Sequence, residues 1–199
     1  MTGAVPAELW RDHTLVEHAV ALRRMHLADD PRRAAHVDAV AQLAEQVARR
    51  LAPTALYPIV AAAHLHDIGY SPSLRHTGFH PIDGANFARN EGFPELVVGL
   101  IAHHTGAWSE ALERGLSEDL AQFRLPPKPL LDILTYADLH RGPGGDSVPA
   151  CERLAEVLAR YGPADPVHRA VRRSHRALLA AVGRVEAALS ATGSNCTST

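Results

Sequence analysis

At residues 59–69 the chain reads Ile59-Val60-Ala61-Ala62-Ala63-His64-Leu65-His66-Asp67-Ile68-Gly69. The first part of this stretch is almost wholly apolar, and its alanines and leucine favour a helix that Gly69 ends. An apolar helix of this kind belongs in a core, which places His66 and Asp67 inside the protein. A buried carboxylate is costly unless it is paired or bound to a metal ion. The stretch therefore predicts a core helix that ends in chemically reactive groups.

Outward from this helix, the sequence predicts helices throughout the 199 residues, with prolines and glycines at their ends. Alanine, leucine and arginine favour helices, and no alternating strand pattern of useful length occurs. The predicted helices run over about Pro6–Ala28, Pro31–Leu51, Thr54–Ile68, Pro81–Gly92, Pro94–His104, Lys128–Arg141, Val148–Tyr161 and Pro166–Leu189, with short helices over Ala107–Phe123. The predicted fold class is all-α, in a single-domain helical bundle.

Further ionisable residues fall on the apolar faces or at the ends of neighbouring helices. His36 and Asp138 each lie one helical turn from an apolar residue of the same stripe, so both face the core. His80 stands at the start of one helix and His104 at the end of another. No inward-facing Lys or Arg is evident near the two aspartates, so a metal cation is the expected partner. One inward histidine is more often a hydrogen-bonded core residue, but the combination favours a metal site.

The order of these residues resembles the HD-domain superfamily, helical metal-dependent phosphohydrolases named for a His-Asp doublet. His66-Asp67-Ile68-Gly69 matches the common form of the doublet, and His80-Pro81-Ile82-Asp83-Gly84-Ala85 resembles the His-x-x-x-Gly-Ala element of dimetal members. Ile101-Ala102-His103-His104-Thr105 resembles the element with the next ligand, and Tyr136-Ala137-Asp138 matches the closing Asp. The resemblance covers about residues 30–142.

This resemblance implies a centre of two divalent transition-metal ions. The implied ligands are His36, His66, Asp67 and Asp138 for the first ion and His80 and His104 for the second, with Asp67 bridging. Four imidazoles and two carboxylates suit Fe, Mn, Co or Ni, whereas structural zinc is disfavoured because no thiolate is placed to help. The implied reaction is hydrolysis of a phosphate ester or anhydride of a small nucleotide or phosphometabolite by a metal-activated hydroxide, with Asp67 as the catalytic residue.

Five further side chains are predicted to bind the substrate. They are Arg75, His76, His103, Lys128 and Arg141. Cationic side chains bind phosphate through charge-assisted hydrogen bonds, although most arginines and lysines are simply exposed. Counting from Ile101, the family's metal ligand falls on His104, so His103 is expected to orient or contact substrate. Trp108 is placed either to stack on a base or to pack at the rim.

Two activities of the superfamily are disfavoured by the local sequence. Hydrolases of guanosine tetraphosphate carry a Glu-Asp pair shortly after the doublet, where this chain has Gly69, Tyr70 and Ser71. Cyclic-di-GMP phosphodiesterases carry an Asp-Gly-x-Gly-Tyr-Pro element after the position of His104, where this chain has Gly106-Ala107-Trp108-Ser109. The layout is more similar to small stand-alone HD hydrolases, including bacterial dinucleoside polyphosphate hydrolases.

Two other functions stay open on the sequence. A few HD proteins bind a mixed-valence di-iron pair and activate O₂ to oxidise C–H or C–P bonds, and the same ligand set suits that use. Such oxygenases often need a basic residue near the doublet, and Tyr70 stands where many HD proteins have Lys. A non-catalytic binding module would be expected to have lost a ligand, whereas all six positions are filled here.

The composition limits partners and compartment. A formal net charge of −2, from 20 basic and 22 acidic residues, gives no reason to expect a nucleic-acid duplex or an anionic membrane as partner. A small phosphorylated molecule fits better. Two cysteines, no signal-peptide pattern and no apolar run of about 20 residues favour a cytoplasmic location.

The expected organisation of the chain has four parts. Residues 1–29 form an N-terminal helical extension, and residues 30–142 form the HD-domain core with the metal site. Residues 143–190 form C-terminal helices that pack on this core. The small, polar residues 191–199 are expected to be a disordered tail.

Overall fold

Proline and glycine set many of the helix ends in this structure, a computed structural model that describes residues 13–194. The α-helices are α1 Thr14–His26, α2 Pro31–Leu51, α3 Leu56–Leu65, α4 His80–Asn90, α5 Glu95–His103, α6 Ala107–Arg114, α7 Ser117–Ala121, α8 Lys128–Leu139, α9 Ala150–Arg160 and α10 Pro166–Ser194. No β-strand forms among residues 13–194, where only an isolated bridge joins Arg141 and Ser147. The prediction of an all-α fold is confirmed.

The start of α2 shows how the sequence sets a helix end. Pro31 occupies the first turn, where its missing N–H costs no hydrogen bond. The carboxylate of Asp30 accepts a hydrogen bond from the backbone N–H of Arg33 at 3.0 Å. The predicted beginning of α2 at Pro31 is therefore correct, and it fixes where the side chains of the next turns point.

The predicted core helix is interrupted at both ends. A 3₁₀ turn at Pro53–Ala55 precedes α3, and a second at Ile68–Tyr70 follows His66 and Asp67. The body of α3 packs against α1, α2 and α5, and Ile59 and Leu65 are completely buried. Because α3 is apolar on all sides, it lies in the middle of the bundle and carries the His-Asp doublet into the core.

The C-terminal helices add a second apolar layer. Helix α10 packs on α6, α8 and α9, and a cluster that includes Leu139, Leu154 and Leu178 joins these elements. Helix α10 continues to Ser194, so residues 191–194 are helical although the sequence analysis assigned them to the tail. The expected first helical turns from Pro6 and the end of the tail, residues 195–199, lie outside the described residues. In the described part of the chain, no helix combines the length and apolar character needed to cross a bilayer.

Candidate metal centre

Five separate segments bring six predicted metal ligands together at one end of the core. His36 lies on α2, His66 and Asp67 follow α3, His80 begins α4, His104 follows α5, and Asp138 lies near the end of α8. All except His80 are buried, and the His80 side chain is only 14% exposed. Because the ligands come from distant parts of the sequence, the folded core itself sets their geometry.

Backbone carbonyls orient three of the imidazoles. The Nδ1 atoms of His36, His66 and His104 lie 3.0, 2.8 and 2.6 Å from the carbonyl oxygens of Gly142, Ala63 and Ile101, respectively. In the neutral ring, an Nδ1–H that donates to a carbonyl leaves the lone pair on Nε2. This arrangement is typical of metal-binding histidines, whose second nitrogen is held by a hydrogen bond.

The first group of donors consists of His36, His66 and Asp67, with Asp138 beside it. One potential ligand atom from each of the first three residues lies within 4.8 Å of the others. The Nε2 of His36 is 3.2 Å from Oδ1 of Asp138, and the Nε2 of His66 is 3.6 Å from Oδ1 of Asp67. Two imidazoles and one carboxylate therefore face one another closely, and the Asp138 carboxylate lies next to the His36 ring.

The second group consists of Asp67, His80 and His104. The Nε2 of His80 lies 3.5 Å from Oδ1 of Asp67 and 3.2 Å from the Nε2 of His104. Asp67 belongs to both groups, so its carboxylate is placed where a bridging ligand would stand. The two groups contain five of the six residues in the ligand sets that the resemblance implies, and Asp138 lies beside the first group.

One buried atom tests whether a cation fits. The His66 side chain is completely inaccessible, and its Nε2 finds no hydrogen-bond partner among residues 13–194. An unsatisfied buried polar atom is destabilising, and a cation on its lone pair would remove that cost. The residues therefore fit a divalent metal ion, and the nitrogen-rich donor set is of the kind that binds Mn, Fe, Co or Ni.

The electrostatics favour the ligating protonation states of Asp67, Asp138, His66 and His80. His36 differs, because burial would lower its pKa but the hydrogen bond with Asp138 outweighs burial and raises it. Burial would raise the pKa of Asp67, but His66, His80 and Arg33 outweigh it and hold that pKa far below its usual range. Burial likewise opposes ionisation of Asp138, yet the hydrogen bond with His36 keeps its pKa well below the usual value. Burial lowers the pKa of His66 and His80. Ionised carboxylates and neutral imidazoles are the forms that metal ions bind.

Arg33 corrects one expectation from the sequence. No inward basic side chain was expected near the aspartates, but Nη1 of Arg33 donates to Oδ2 of Asp67 at 2.5 Å. Arg33 lies three residues before His36 on α2, so the helical repeat puts both on one face. Counting one helical turn back from His36 would have placed Arg33 on the inward face of α2.

A stack of three side chains connects Arg33 to the second group. The guanidinium carbon of Arg33 lies 3.6 Å from the centre of the Tyr70 ring, which in turn stacks on His80 with ring centroids 4.0 Å apart. Burial raises the pKa of Tyr70 above its usual value, so its hydroxyl stays neutral. Tyr70 therefore fixes the plane of the His80 ring while Arg33 stays beside Asp67.

The turn after α5 places Thr105 against the Asp138 carboxylate. Thr105 adopts a left-handed backbone conformation (φ 38°), which is uncommon for a residue other than glycine, and Gly106 follows with φ 80°. The hydroxyl of Thr105 donates to Oδ2 of Asp138 at 2.5 Å. This hydrogen bond leaves Oδ1 of Asp138 facing His36.

A cavity of about 150 Å³ adjoins five of the six residues, all except the fully buried His66. Its walls include Arg33, Glu110, Arg153 and Arg160, none of which the sequence analysis singled out. Burial raises the pKa of Glu110. Glu110 and the two later arginines lie on α6 and α9, outside the motifs, and nothing in the sequence alone indicated that these helices would reach the metal ligands.

The predicted substrate-binding residues lie elsewhere. His103 is buried with its Nε2 3.0 Å from the carbonyl oxygen of Phe123, so the structure brings His104 rather than His103 to the cluster. Lys128 is 3.3 Å from Asp132, and Arg141 is hydrogen-bonded to the carbonyl oxygens of Ala39 and His140. Arg75 and His76 are exposed, as is Trp108. None of these residues is among those that line the cavity.

Comparison with known protein families gives one match. The family model described as HD domain matches residues 33–141, more than half of the chain. The chain belongs to the HD-domain family. The matched segment of this HD domain contains all six predicted ligands and Arg33, but it ends before α9 and α10. Searches of curated proteins and of solved structures found no match.

Proposed function

We propose that this HD domain is a metal-dependent phosphohydrolase that cleaves a phosphate ester or anhydride of a small nucleotide or phosphometabolite. The main support is that two groups of donors share Asp67 at the wall of a cavity that is also lined by arginines. A shared carboxylate between two nitrogen-rich groups is the arrangement that a two-metal centre needs. Guanidinium groups nearby suit a phosphorylated substrate.

In this proposal the first ion would be held by His36, His66, Asp67 and Asp138, and the second by His80, His104 and Asp67. When bound, two divalent ions supply a nucleophile from water at neutral pH and neutralise charge on the phosphoryl oxygens. The carbonyl-bound Nδ1 atoms keep three of the imidazoles aimed inward.

Other residues of the chain position the reacting groups. Thr105 holds the Asp138 carboxylate, and Tyr70 holds the His80 ring, so neither ligand needs to reorient when the substrate enters. Arg33 places a fixed positive charge beside Asp67, where it attracts an anionic substrate and stabilises charge that develops on phosphoryl oxygens.

The direct test is phosphate release from a panel of nucleotides and phosphometabolites, with Mn²⁺, Co²⁺ or Fe²⁺ supplied in turn. We expect metal-dependent release that Asp67→Ala abolishes. The matched control is Asp119→Ala, which removes an exposed aspartate of α7 and should keep the activity.

Failure of every metal to support release would contradict the proposal. Consumption of O₂ by the iron-loaded protein would then favour the di-iron oxygenase. The sequence spoke against the oxygenase because Tyr70 stands where many HD proteins have a basic Lys. Arg33 weakens this objection, because its guanidinium lies over the Tyr70 ring. Full metal loading with neither activity would favour the binding module.

A further inference from the structure

Helix α9 brings two arginines to the cavity from outside the segment that matches the HD family. Arg153 and Arg160 are seven residues apart, so two helical turns place them on the same face of α9. Both line the cavity next to Asp67, and both also line an adjoining cavity of about 140 Å³ that includes Asp30 and Arg32. These arginines belong to this chain's own C-terminal helices and not to the family's metal-binding motifs.

The two side chains are held in place and are only partly neutralised. Both are paired with the same carboxylate, that of Glu156, so two positive charges share one negative charge. The side chain of Arg153 is only 15% exposed, unlike an ordinary surface arginine, whereas that of Arg160 is 41% exposed. Four arginines and two aspartates line the adjoining cavity. The one aspartate there that faces the imidazoles, Asp67, is the residue assigned to the metal ions.

Such a pair of guanidinium groups suits a phosphate. Each guanidinium is a planar fork that donates two parallel hydrogen bonds to phosphoryl oxygens. In the proposed function, the metal ions held by the candidate ligands bind the phosphoryl group that reacts. Arg153 and Arg160 line the same cavity on a different helix, so they can meet a second anionic group of the same molecule.

We propose that Arg153 and Arg160 form a subsite for a second phosphoryl group, so that the substrate carries two or more linked phosphoryl groups. This proposal rests on the phosphohydrolase function and narrows its substrate to the class of di- and polyphosphates. The bound phosphoryl group stays intact at the subsite, and cleavage takes place at the group next to Asp67.

The test is isothermal calorimetry on the Mn²⁺-loaded protein with two probes, imidodiphosphate and orthophosphate. Imidodiphosphate resists hydrolysis, and the metal content is measured after each titration to detect extraction of the ion. We expect imidodiphosphate to bind at least about tenfold more tightly than orthophosphate, since charge-assisted hydrogen bonds contribute on that scale. In the double variant Arg153→Gln/Arg160→Gln this preference should disappear while the affinity for orthophosphate stays within about threefold.

The chain offers a matched control. Arg169 and Arg173 of α10 also share one carboxylate, that of Glu113, but they do not line the cavity. The double variant Arg169→Gln/Arg173→Gln should keep the preference for imidodiphosphate. The single variant Arg153→Lys keeps the positive charge but loses the planar guanidinium fork, so it should lose part of the preference for imidodiphosphate. This variant provides a test even if the double Gln variant folds poorly.

The outcomes separate this proposal from the proposed function. An equal loss of affinity for both probes, or no loss in the Arg153 and Arg160 variants, would overturn the second-phosphate subsite even if phosphate release is observed. A preference for imidodiphosphate that depends on the two arginines, in a protein that releases no phosphate, would keep the subsite and refute the hydrolase.

Discussion

At the scale of single residues, the Asp67 carboxylate has a different environment at each of its two oxygens. Oδ1 faces the Nε2 atoms of His66 and His80, whereas Oδ2 accepts a hydrogen bond from Arg33. The guanidinium therefore stabilises the buried carboxylate before any metal ion is present. Oδ1 remains directed at the imidazoles, where it can bind metal.

Replacing Arg33 by Gln should therefore destabilise the metal-free protein. Loss of the partner of a buried carboxylate costs about 1–3 kcal/mol in the free energy of unfolding. The measurement is urea unfolding monitored by circular dichroism, in the presence of a chelator. Arg49→Gln, which removes an exposed partner of Glu45 on the same helix, should change the free energy of unfolding by less than about 0.5 kcal/mol. Equal stability of Arg33→Gln and the wild type would show that the pair does not support Asp67.

At the scale of elements, the 3₁₀ turn at Ile68–Tyr70 packs tightly on the first turn of α4. A Cβ atom on Gly69 would lie 2.2 Å from the carbonyl oxygen of His80 and 2.7 Å from the backbone nitrogen of Gly84. Only glycine permits this approach, because backbone atoms cannot move aside as a side chain can. The close contact fixes the distance between the doublet and His80.

Gly69→Ala should accordingly lower the free energy of unfolding by about 1–3 kcal/mol or more, as overpacking of a core does. Chemical denaturation of the variant measures this loss. Gly183→Ala is the control, because a Cβ atom at that position would meet no atom of another described element within 4 Å. It should raise the stability by about 0.5–1 kcal/mol, since alanine favours a helix interior. A Gly69→Ala protein as stable as the wild type would mean that the two elements do not pack as described.

Local patterns predicted the elements but not all of the contacts between them. The stripes around His36 and Asp138 indicated inward side chains because a helix repeats every 3.6 residues, and both residues are buried. Arg33 obeys the same repeat, but Asp30 stands three residues before it and offers an ordinary ion pair at the start of α2, so the local sequence did not single it out. Arg153 and Arg160 read as ordinary solvent-exposed charges of an amphipathic helix. Their approach to Asp67 depends on how α9 packs, and a single sequence contains no local signal for that.

At the scale of the whole molecule, the donors are assembled by the bundle and the cavity is closed by later helices. The candidate metal ligands come from α2, α4, α8 and the segments that follow α3 and α5, all within the HD match. Helices α9 and α10 add Arg153, Arg160 and an apolar wall that includes Val157 and Val171. In the proposed function, the family core would therefore hold the reaction chemistry, and the C-terminal helices would select the substrate.

The proposed two-metal centre requires that two ions share Asp67, and the metal content of the purified protein measures this. Protein loaded with Mn²⁺ and freed of excess ion is analysed by inductively coupled plasma mass spectrometry, with circular dichroism to verify folding. We expect about two ions per chain in the wild type, about one in His80→Ala, and none in Asp67→Ala, because only Asp67 belongs to both groups. Two ions retained by a folded Asp67→Ala protein would contradict the shared carboxylate and, with it, the assignment of the site.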